Sequence, residues 1–157
     1  MTSSQHLSKS SLIEKTIALA QQALDQQMLP LGTRFIRQFF ANVSNEDLRN
    51  QDIENLYGSA LAMFAFARKR SAGKAKLRVY TPTPEEHGWK SAHTIVEIVN
   101  DDMPFIVDSV ASELSRLGPE IYLIIHPVLQ VIRDRDGQLI AIEDTASGAA
   151  DRSNGAM

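Results

Sequence analysis

The sequence contains no cysteine, which excludes disulfide bridges, thiolate metal sites and cysteine nucleophiles. No apolar run approaches the roughly 18 residues that a membrane-spanning helix needs, so we expect no membrane partner. The N-terminus lacks the charged-then-apolar layout of a secretory signal, which makes the cytoplasm the expected location. A net charge of -3 argues against a general nucleic-acid binder.

Familiar catalytic motifs are also missing. Neither GxGxxG nor GxxxxGK[ST] occurs, so no dinucleotide site and no P-loop is predicted. The histidines do not fall into HxxxH or HExxH, the spacings that place two metal ligands on one helix face. Ser109 lies outside a GxSxG setting. The residues therefore predict no catalytic group, no cofactor-binding residue and no metal ligand.

The first half of the chain has helical periodicity. Ser11 and Glu14 form a capping-box pattern, which predicts the start of a first helix that runs towards Met28. Pro30 and Gly32 are predicted to break it before a second helix over residues 33–40. Ser44 is a predicted cap for a further helical stretch with a break near residues 50–51. We therefore predict a disordered tail over residues 1–10 and a helical subdomain over residues 11–75.

The second half has strand patterns around one amphipathic helix. Residues 77–80 and 94–99 have the alternating or β-branched character of strands, and apolar residues recur at helical spacing from Met103 to Leu117. Residues 121–125 and 128–133 are predicted as further strands, followed by the turn dipeptide Asp136-Gly137 and a return strand over residues 139–142. A strand–helix–strand order predicts a right-handed crossover with the helix on one face of a sheet.

Six basic residues and no acidic residue lie between Arg68 and Arg78. One interpretation is a patch that binds phosphate or a nucleic acid by releasing counterions. The other is a solvated helix end, where cations complement the helix dipole, followed by a linker. The second is favoured because no aromatic residues alternate with the charges, as stacking on bases would require.

The start of the central helix is the best candidate for a binding site. Free backbone N–H groups and the positive end of the dipole suit a carboxylate or phosphate ligand. The alternative is a structural role in which Asp101 or Asp102 caps the helix and Asp108 faces water. The candidate effector-binding or helix-capping residues are Asp101, Asp102, Met103, Pro104 and Phe105.

Several strings resemble the N-terminal region of the large NAD-specific glutamate dehydrogenases of bacteria. They are FFANVS at residues 39–44, KLRVY at residues 76–80, DDMPFIVDSV at residues 101–110, IHPVL at residues 125–129 and RDRDG at residues 133–137. The resemblance implies enzymes that oxidatively deaminate L-glutamate to 2-oxoglutarate with NAD, in long chains that form oligomers. It also implies ACT-like domains, βαββαβ units associated with amino-acid sensing and subunit contacts.

From this resemblance we expect an α+β chain: a helical subdomain, then an incomplete ACT-like, ferredoxin-like sandwich over residues 76–142 and a disordered tail over residues 143–157. A further helix and strand would complete the sandwich, so the chain is expected to be an N-terminal fragment. Its expected role is regulatory or oligomerising and non-catalytic, with NAD bound only by the rest of the parent chain.

The expected partners are that remainder of the dehydrogenase chain, a second copy in a homo-oligomer and an amino-acid effector. The alternative is a stand-alone amino-acid-sensing module. Ligand-binding ACT domains often place glycine after the proline at the helix start, where this chain has Phe105. The bulk of that ring favours a packing role at this position.

Overall fold

A computed structural model describes residues 7–144. Within that range the chain forms six helices and two antiparallel sheets of two strands each, which confirms the α+β class. The elements are α1 (Lys9–Ala23), α2 (Leu29–Phe39), α3 (Asn45–Arg49), α4 (Ile53–Ala67), β1 (Lys76–Tyr80), α5 (Pro84–His87), β2 (Ile95–Val99), α6 (Ile106–Leu117), β3 (Val131–Arg133) and β4 (Leu139–Ile142). The predicted tails lie mostly outside the described residues.

Helix α1 begins earlier than the capping-box pattern predicted. Ser8 is the N-cap, and its side chain accepts a hydrogen bond from the backbone N–H of Ser11 at 3.2 Å. The prediction that Ser11 caps this helix is therefore wrong. Ser8 and Ser11 are both residue types that can cap a helix. With Ser8 as the cap, Leu12 lies within the helix and is buried in the core.

Pro30 does not end a helix but lies in the first turn of α2. Helix α1 ends at Ala23, and the Asp25 side chain accepts from the backbone N–H of Met28 at 2.8 Å to shape the connecting turn. Proline is tolerated here because N–H groups of a first turn have no partner within the helix. Gly32 lies inside α2, where a Cβ atom would overlap the Leu24 side chain. The predicted break at these two residues is wrong.

The next helix boundaries match the sequence. The Ser44 side chain accepts from the backbone N–H of Asp47 at 3.0 Å and caps α3. Helices α3 and α4 are separated at residues 50–52, as predicted. Helices α1, α2 and α4 pack on one another around a single core.

That core is apolar and reaches beyond the helices. Most of its members come from α1, α2 and α4, but Leu139 and Ile142 of β4 belong to the same cluster. The Arg34 side chain also donates to the Ile142 carbonyl at 2.8 Å. The hairpin β3–β4 therefore packs on the helical part, across the predicted boundary at residue 75. The division of the chain into domains at that boundary stays a prediction.

Strands β1 and β2 pair antiparallel, from Lys76 opposite Val99 to Tyr80 opposite Ile95. Both strands match the predicted ones to within one residue. The side chains that face inwards are largely polar, whereas Leu77, Val79 and Val96 point to solvent. The residue alternation was correctly predicted, but the apolar face of this sheet is the outer one.

The predicted crossover is wrong. Residues 121–125 form no strand, and both sheets in the described range pair antiparallel, β1 with β2 and β3 with β4. Exposure still alternates along residues 121–130, and Leu123, Ile125 and Leu129 pack partly against the core. This segment is extended, as the pattern indicated, but a strand also needs a ladder partner, which no local pattern supplies.

Between β1 and β2, residues 84–87 form the short helix α5. The Thr83 side chain accepts from the backbone N–H of Glu86, and Pro84 takes the first position. The hairpin turn before β4 is confirmed, since Gly137 has a φ of 82° there. The Asp134 carboxylate stabilises this turn by accepting from the backbone N–H groups of Asp136 and Gln138, both at 2.9 Å.

Candidate functional site

The candidate residues form an exposed loop between β2 and α6. Asp101, Asp102 and Pro104 are exposed, and Met103 and Phe105 expose 54% and 76% of their surface. The Asn100 side-chain amide donates to the Met103 sulfur at 3.4 Å. The five candidate residues therefore form one continuous segment on the surface and do not line a cleft.

Neither aspartate caps the helix that follows. Helix α6 begins at Ile106, and its N-cap is Phe105, which makes no side-chain cap hydrogen bond. Phe105 has a φ of 64°, a left-handed conformation that is rare for a bulky residue. The first helical bond runs from the Ser109 N–H to the Phe105 carbonyl at 2.9 Å. The helix thus starts too late in the sequence for Asp101 or Asp102 to cap it, and that predicted role is wrong.

Asp101 instead forms an ion pair with Arg70. The distance from Arg70 Nη2 to Asp101 Oδ1 is 2.5 Å. The Arg70 side chain exposes only 9% of its surface, whereas that of Asp101 exposes 68%. Arg70 Nε is buried and has no hydrogen-bond partner in the described part of the chain. This buried guanidinium was missed by the sequence analysis, which treated its segment as solvated.

A second arginine lies in the same place. Arg133 donates to the carbonyl oxygens of Ala67 at 2.8 Å and Gly137 at 3.0 Å. Arg70 donates its own backbone N–H to Gly137 at 3.0 Å. Burial, and secondly the positive charge of Arg70, lower the pKa of Arg133. We call Arg70, Asp101, Arg133 and Gly137 the arginine junction; it joins the end of α4, the β3–β4 turn and the loop before α6.

Other cations of the segment from Arg68 to Arg78 also bind groups within the same chain. Lys76 donates to the carbonyl oxygens of Phe66 at 2.8 Å and Lys69 at 3.0 Å, near the end of α4. Arg78 pairs with Glu97 and lies over the Phe66 ring at 4.6 Å. These contacts favour the structural interpretation of the basic segment over a polyanion-binding patch.

Glu97 is a buried carboxylate on the inner face of the sheet. It accepts from Arg78 Nε at 2.8 Å and from the Tyr80 hydroxyl at 2.9 Å. Burial, and secondly the charge of Glu97, raise the pKa of Tyr80. The Tyr80 ring stacks on His87 with ring centroids 4.7 Å apart. The Arg78 guanidinium lies over the Tyr80 ring, 4.4 Å from its centroid. The sequence feature that could have indicated this cluster is Glu97, the one charged residue in the otherwise β-branched strand β2.

The remaining polar candidates take structural positions. His87 Nδ1 accepts from the Thr83 N–H at 3.1 Å, and His93 stacks on Tyr122. Among residues 7–144 no three potential metal ligands come together. No helix of that range is both long and apolar enough to cross a membrane.

Two surface depressions lie elsewhere. One of about 410 Å³ lies between α1 and α2, beside Lys9 and Arg37, and one of about 120 Å³ lies beside Asn50 and Tyr122. The Lys9 ammonium already donates to the carbonyls of Ala41 and Val43, and Arg37 pairs with Glu14. The candidate loop lines neither depression.

Comparison with known proteins gives one consistent result. The family model described as "Glutamate dehydrogenase, ACT1 domain" matches residues 35–157. The NAD-specific glutamate dehydrogenase of Pseudomonas aeruginosa is 38% identical over 136 residues, which is 87% of this chain and 8% of that protein. The NAD-specific glutamate dehydrogenase of Halomonas elongata is 39% identical over 119 residues, 76% of this chain and 7% of that protein. No solved structure matches the chain.

Proposed function

Since the chain belongs to the N-terminal, ACT1-domain region of the large NAD-specific glutamate dehydrogenases, we propose that it is a regulatory and subunit-contact segment of such an enzyme. It spans less than a tenth of the length of the relatives it matches. In this proposal the parent enzyme converts L-glutamate to 2-oxoglutarate with NAD in the cytoplasm. The segment itself is non-catalytic, and NAD binds to other parts of the parent chain.

The distribution of exposed apolar side chains supports a contact role. All twelve exposed large hydrophobic residues of the described range lie at or after Leu77. The helices before that residue keep their large apolar side chains buried or half-buried. On the outer face of β1–β2, Leu77 is 62% and Val79 59% exposed. Contiguous apolar surface of this kind is characteristic of a protein contact.

Sedimentation velocity over a range of concentrations tests the contact role. We expect the chain to self-associate, and we expect the substitutions Leu77→Gln and Val79→Thr together to return it to a monomer. Ala18→Gln, on the exposed face of α1, is the matched control and leaves association unchanged. A wild-type chain that stays monomeric at high concentration would contradict a homo-oligomeric contact.

The non-catalytic role has a direct assay. Purified chain mixed with L-glutamate and NAD is expected to give no increase in absorbance at 340 nm, because the residues present no nucleotide-binding motif and no predicted catalytic group. A steady increase that survives removal of contaminating enzymes would contradict the proposal.

A second candidate function is amino-acid sensing at the loop from Asp101 to Phe105. The observation that favours it is the conformation of Phe105, whose φ of 64° is one that glycine normally supplies. Its ring points to solvent and does not cover the start of α6. Calorimetric titration with acidic, basic and apolar amino acids tests this function, and the absence of heat across the series would refute it.

A further inference from the structure

We propose that the arginine junction is an anion switch in which Arg70 binds the carboxylate of a small amino-acid ligand and Asp101 is the internal competitor for the same guanidinium. This inference rests on the sensing function proposed above and adds to it the receptor, the ligand chemistry and the mode of regulation. It moves the binding group from the loop itself to the arginine that the loop contacts.

The first support is the incomplete bonding of Arg70. A guanidinium carries five N–H donors, and a carboxylate that meets it with both oxygens is its strongest partner. Here the guanidinium donates from Nη2 to one Asp101 carboxylate oxygen at 2.5 Å. Nε is buried and without a partner among the described residues. A ligand carboxylate that used both oxygens would satisfy more of these donors than Asp101 does.

The second support is the contrast between the two partners of the ion pair. The Arg70 side chain is more than nine-tenths buried, and its backbone N–H is held by the Gly137 carbonyl. Asp101 is 68% exposed on a loop, where water screens its charge. Arg70 is therefore the fixed receptor, and Asp101 is the group that a soluble carboxylate can replace.

The third support is the excess of positive charge. Arg133 approaches Arg70 closely enough for the two charges to repel, and its own hydrogen bonds go to neutral carbonyl oxygens. Arg68 and Lys69, which immediately precede Arg70, are exposed. Asp101 is the acidic group that pairs with Arg70 in the described range. The junction therefore attracts an additional anion.

The position of the junction explains how binding would act on the fold. Arg70 follows α4, Gly137 lies in the turn between β3 and β4, and Asp101 leads into α6. Replacement of Asp101 by a ligand would release the loop before α6 from the helical part, while Arg70 stays in place. The ligand carboxylate would thus replace the Arg70–Asp101 ion pair that holds this loop.

Calorimetric titration of the whole 157-residue chain with L-glutamate, in a buffer low in chloride, tests this competition. Asp101→Asn removes the internal carboxylate, and we expect it to tighten binding by about 3- to 5-fold, because the exposed Asp101 carboxylate is screened by water and competes only modestly. Asp108→Asn is the matched control, because this exposed aspartate of α6 lies outside the candidate loop and forms no ion pair within the described residues. We expect it to bind like the wild type.

The receptor is tested by Arg70→Gln, which keeps a long polar side chain without the charge. We expect binding to weaken by about 10-fold or more, the effect of losing a charge-assisted bond. Arg116→Gln, which removes an exposed arginine of α6 paired with Glu113, is the control and leaves binding unchanged. Circular dichroism shows whether each variant folds. If Arg70→Gln does not fold, the comparison of Asp101→Asn with Asp108→Asn still tests the proposal.

Three results would overturn the proposal. The first is weaker binding by Asp101→Asn, which would make Asp101 part of the site. The second is equal affinity for L-glutamate, phosphate and chloride, which would indicate a non-selective cationic surface. The third is no binding by the wild type and by Asp101→Asn. Sedimentation of the same samples reports the contact role independently, so failure of the switch is distinguishable from failure of the proposed subunit contact.

Discussion

Tyr80 and Glu97 show how one buried carboxylate organises the inner face of β1–β2. Glu97 has an arginine and a tyrosine hydroxyl as partners, so its burial does not leave an isolated charge. The same carboxylate disfavours a second negative charge on Tyr80, and together with burial it raises the pKa of that hydroxyl. The neutral tyrosine is therefore the form that the fold stabilises.

This shift predicts alkaline sensitivity. A raised pKa in the folded state contributes stability that is complete below the ordinary tyrosine pKa of about 10 and is lost as the pH rises above it. We expect the free energy of unfolding, measured with urea at pH 8, 10 and 11, to fall by no more than about 1.4 kcal/mol per pH unit from this group. Tyr80→Phe should remove this part of the decrease, and an identical decrease in both proteins would refute it.

Gly137 and Gly88 make a matched pair at the residue scale. Both have positive φ, 82° and 73°, so alanine at either costs about 1–2 kcal/mol of backbone strain. A Cβ atom on Gly137 would also overlap the Arg70 carbonyl, whereas one on Gly88 meets no atom within 4 Å. We expect Gly137→Ala to lower the free energy of unfolding clearly more than Gly88→Ala in urea titrations. Equal losses would mean that the hairpin turn does not pack on Arg70.

At the scale of elements, helix starts depend on which of several polar residues takes the cap. Ser8 accepts from the Ser11 N–H, although Ser11 fits the capping-box spacing with Glu14. We expect Ser8→Ala to cost about 1 kcal/mol of stability and Ser11→Ala only a few tenths. Thermal unfolding followed by circular dichroism measures both. The opposite order would restore Ser11 as the cap.

The strands show the limit of local patterns more clearly. Residues 95–99 and 121–125 are similarly apolar, and both are extended, with exposure that alternates along the second. Only the first has a partner strand in the described range. Pairing depends on which segments the fold brings side by side, and that information lies far away in the sequence. Helix α6 was predicted, and it ends at Leu117 as expected, but it buries none of its residues. Its first residue was not predicted correctly, because Phe105 takes the left-handed conformation.

At the scale of the whole molecule, two kinds of surface coexist. Helices α1 to α4 and β4 share one closed core, while the outer face of β1–β2 and the segment from Tyr122 to Ile132 carry exposed apolar side chains. Exposed apolar surface is what a contact with another chain requires. The closed core elsewhere keeps the chain folded before that contact forms. This arrangement suits a segment of a larger assembly.

Two isoleucines of β4 test the extent of the closed core. Ile142 is 1% exposed and Ile140 is 56% exposed, although they lie two residues apart in one strand. We expect Ile142→Ala to lower the free energy of unfolding by about 2–5 kcal/mol, as for other buried isoleucines, and Ile140→Ala to have a far smaller effect. Equal effects in urea titrations would show that the hairpin does not share the core of the helices.

The sequence alone was enough for features that depend on neighbours along the chain. Helical periodicity, the Ser44 cap, the turn at Asp136-Gly137 and the strings shared with glutamate dehydrogenases all belong to this kind. Each follows from the spacing or identity of residues within a few positions, where short-range sterics and backbone hydrogen bonding dominate. The α+β class and the family were therefore predictable.

The features that depend on distant contacts were set by the tertiary structure. Arg70 and Asp101 are 31 residues apart, and no local pattern predicts that they meet. The outward apolar face of β1–β2 and the burial of Ile142 among helices likewise depend on what packs against each strand. Burial and charge pairing are properties of the assembled chain, because the same side chain can face solvent, core or counter-charge at equal local spacing.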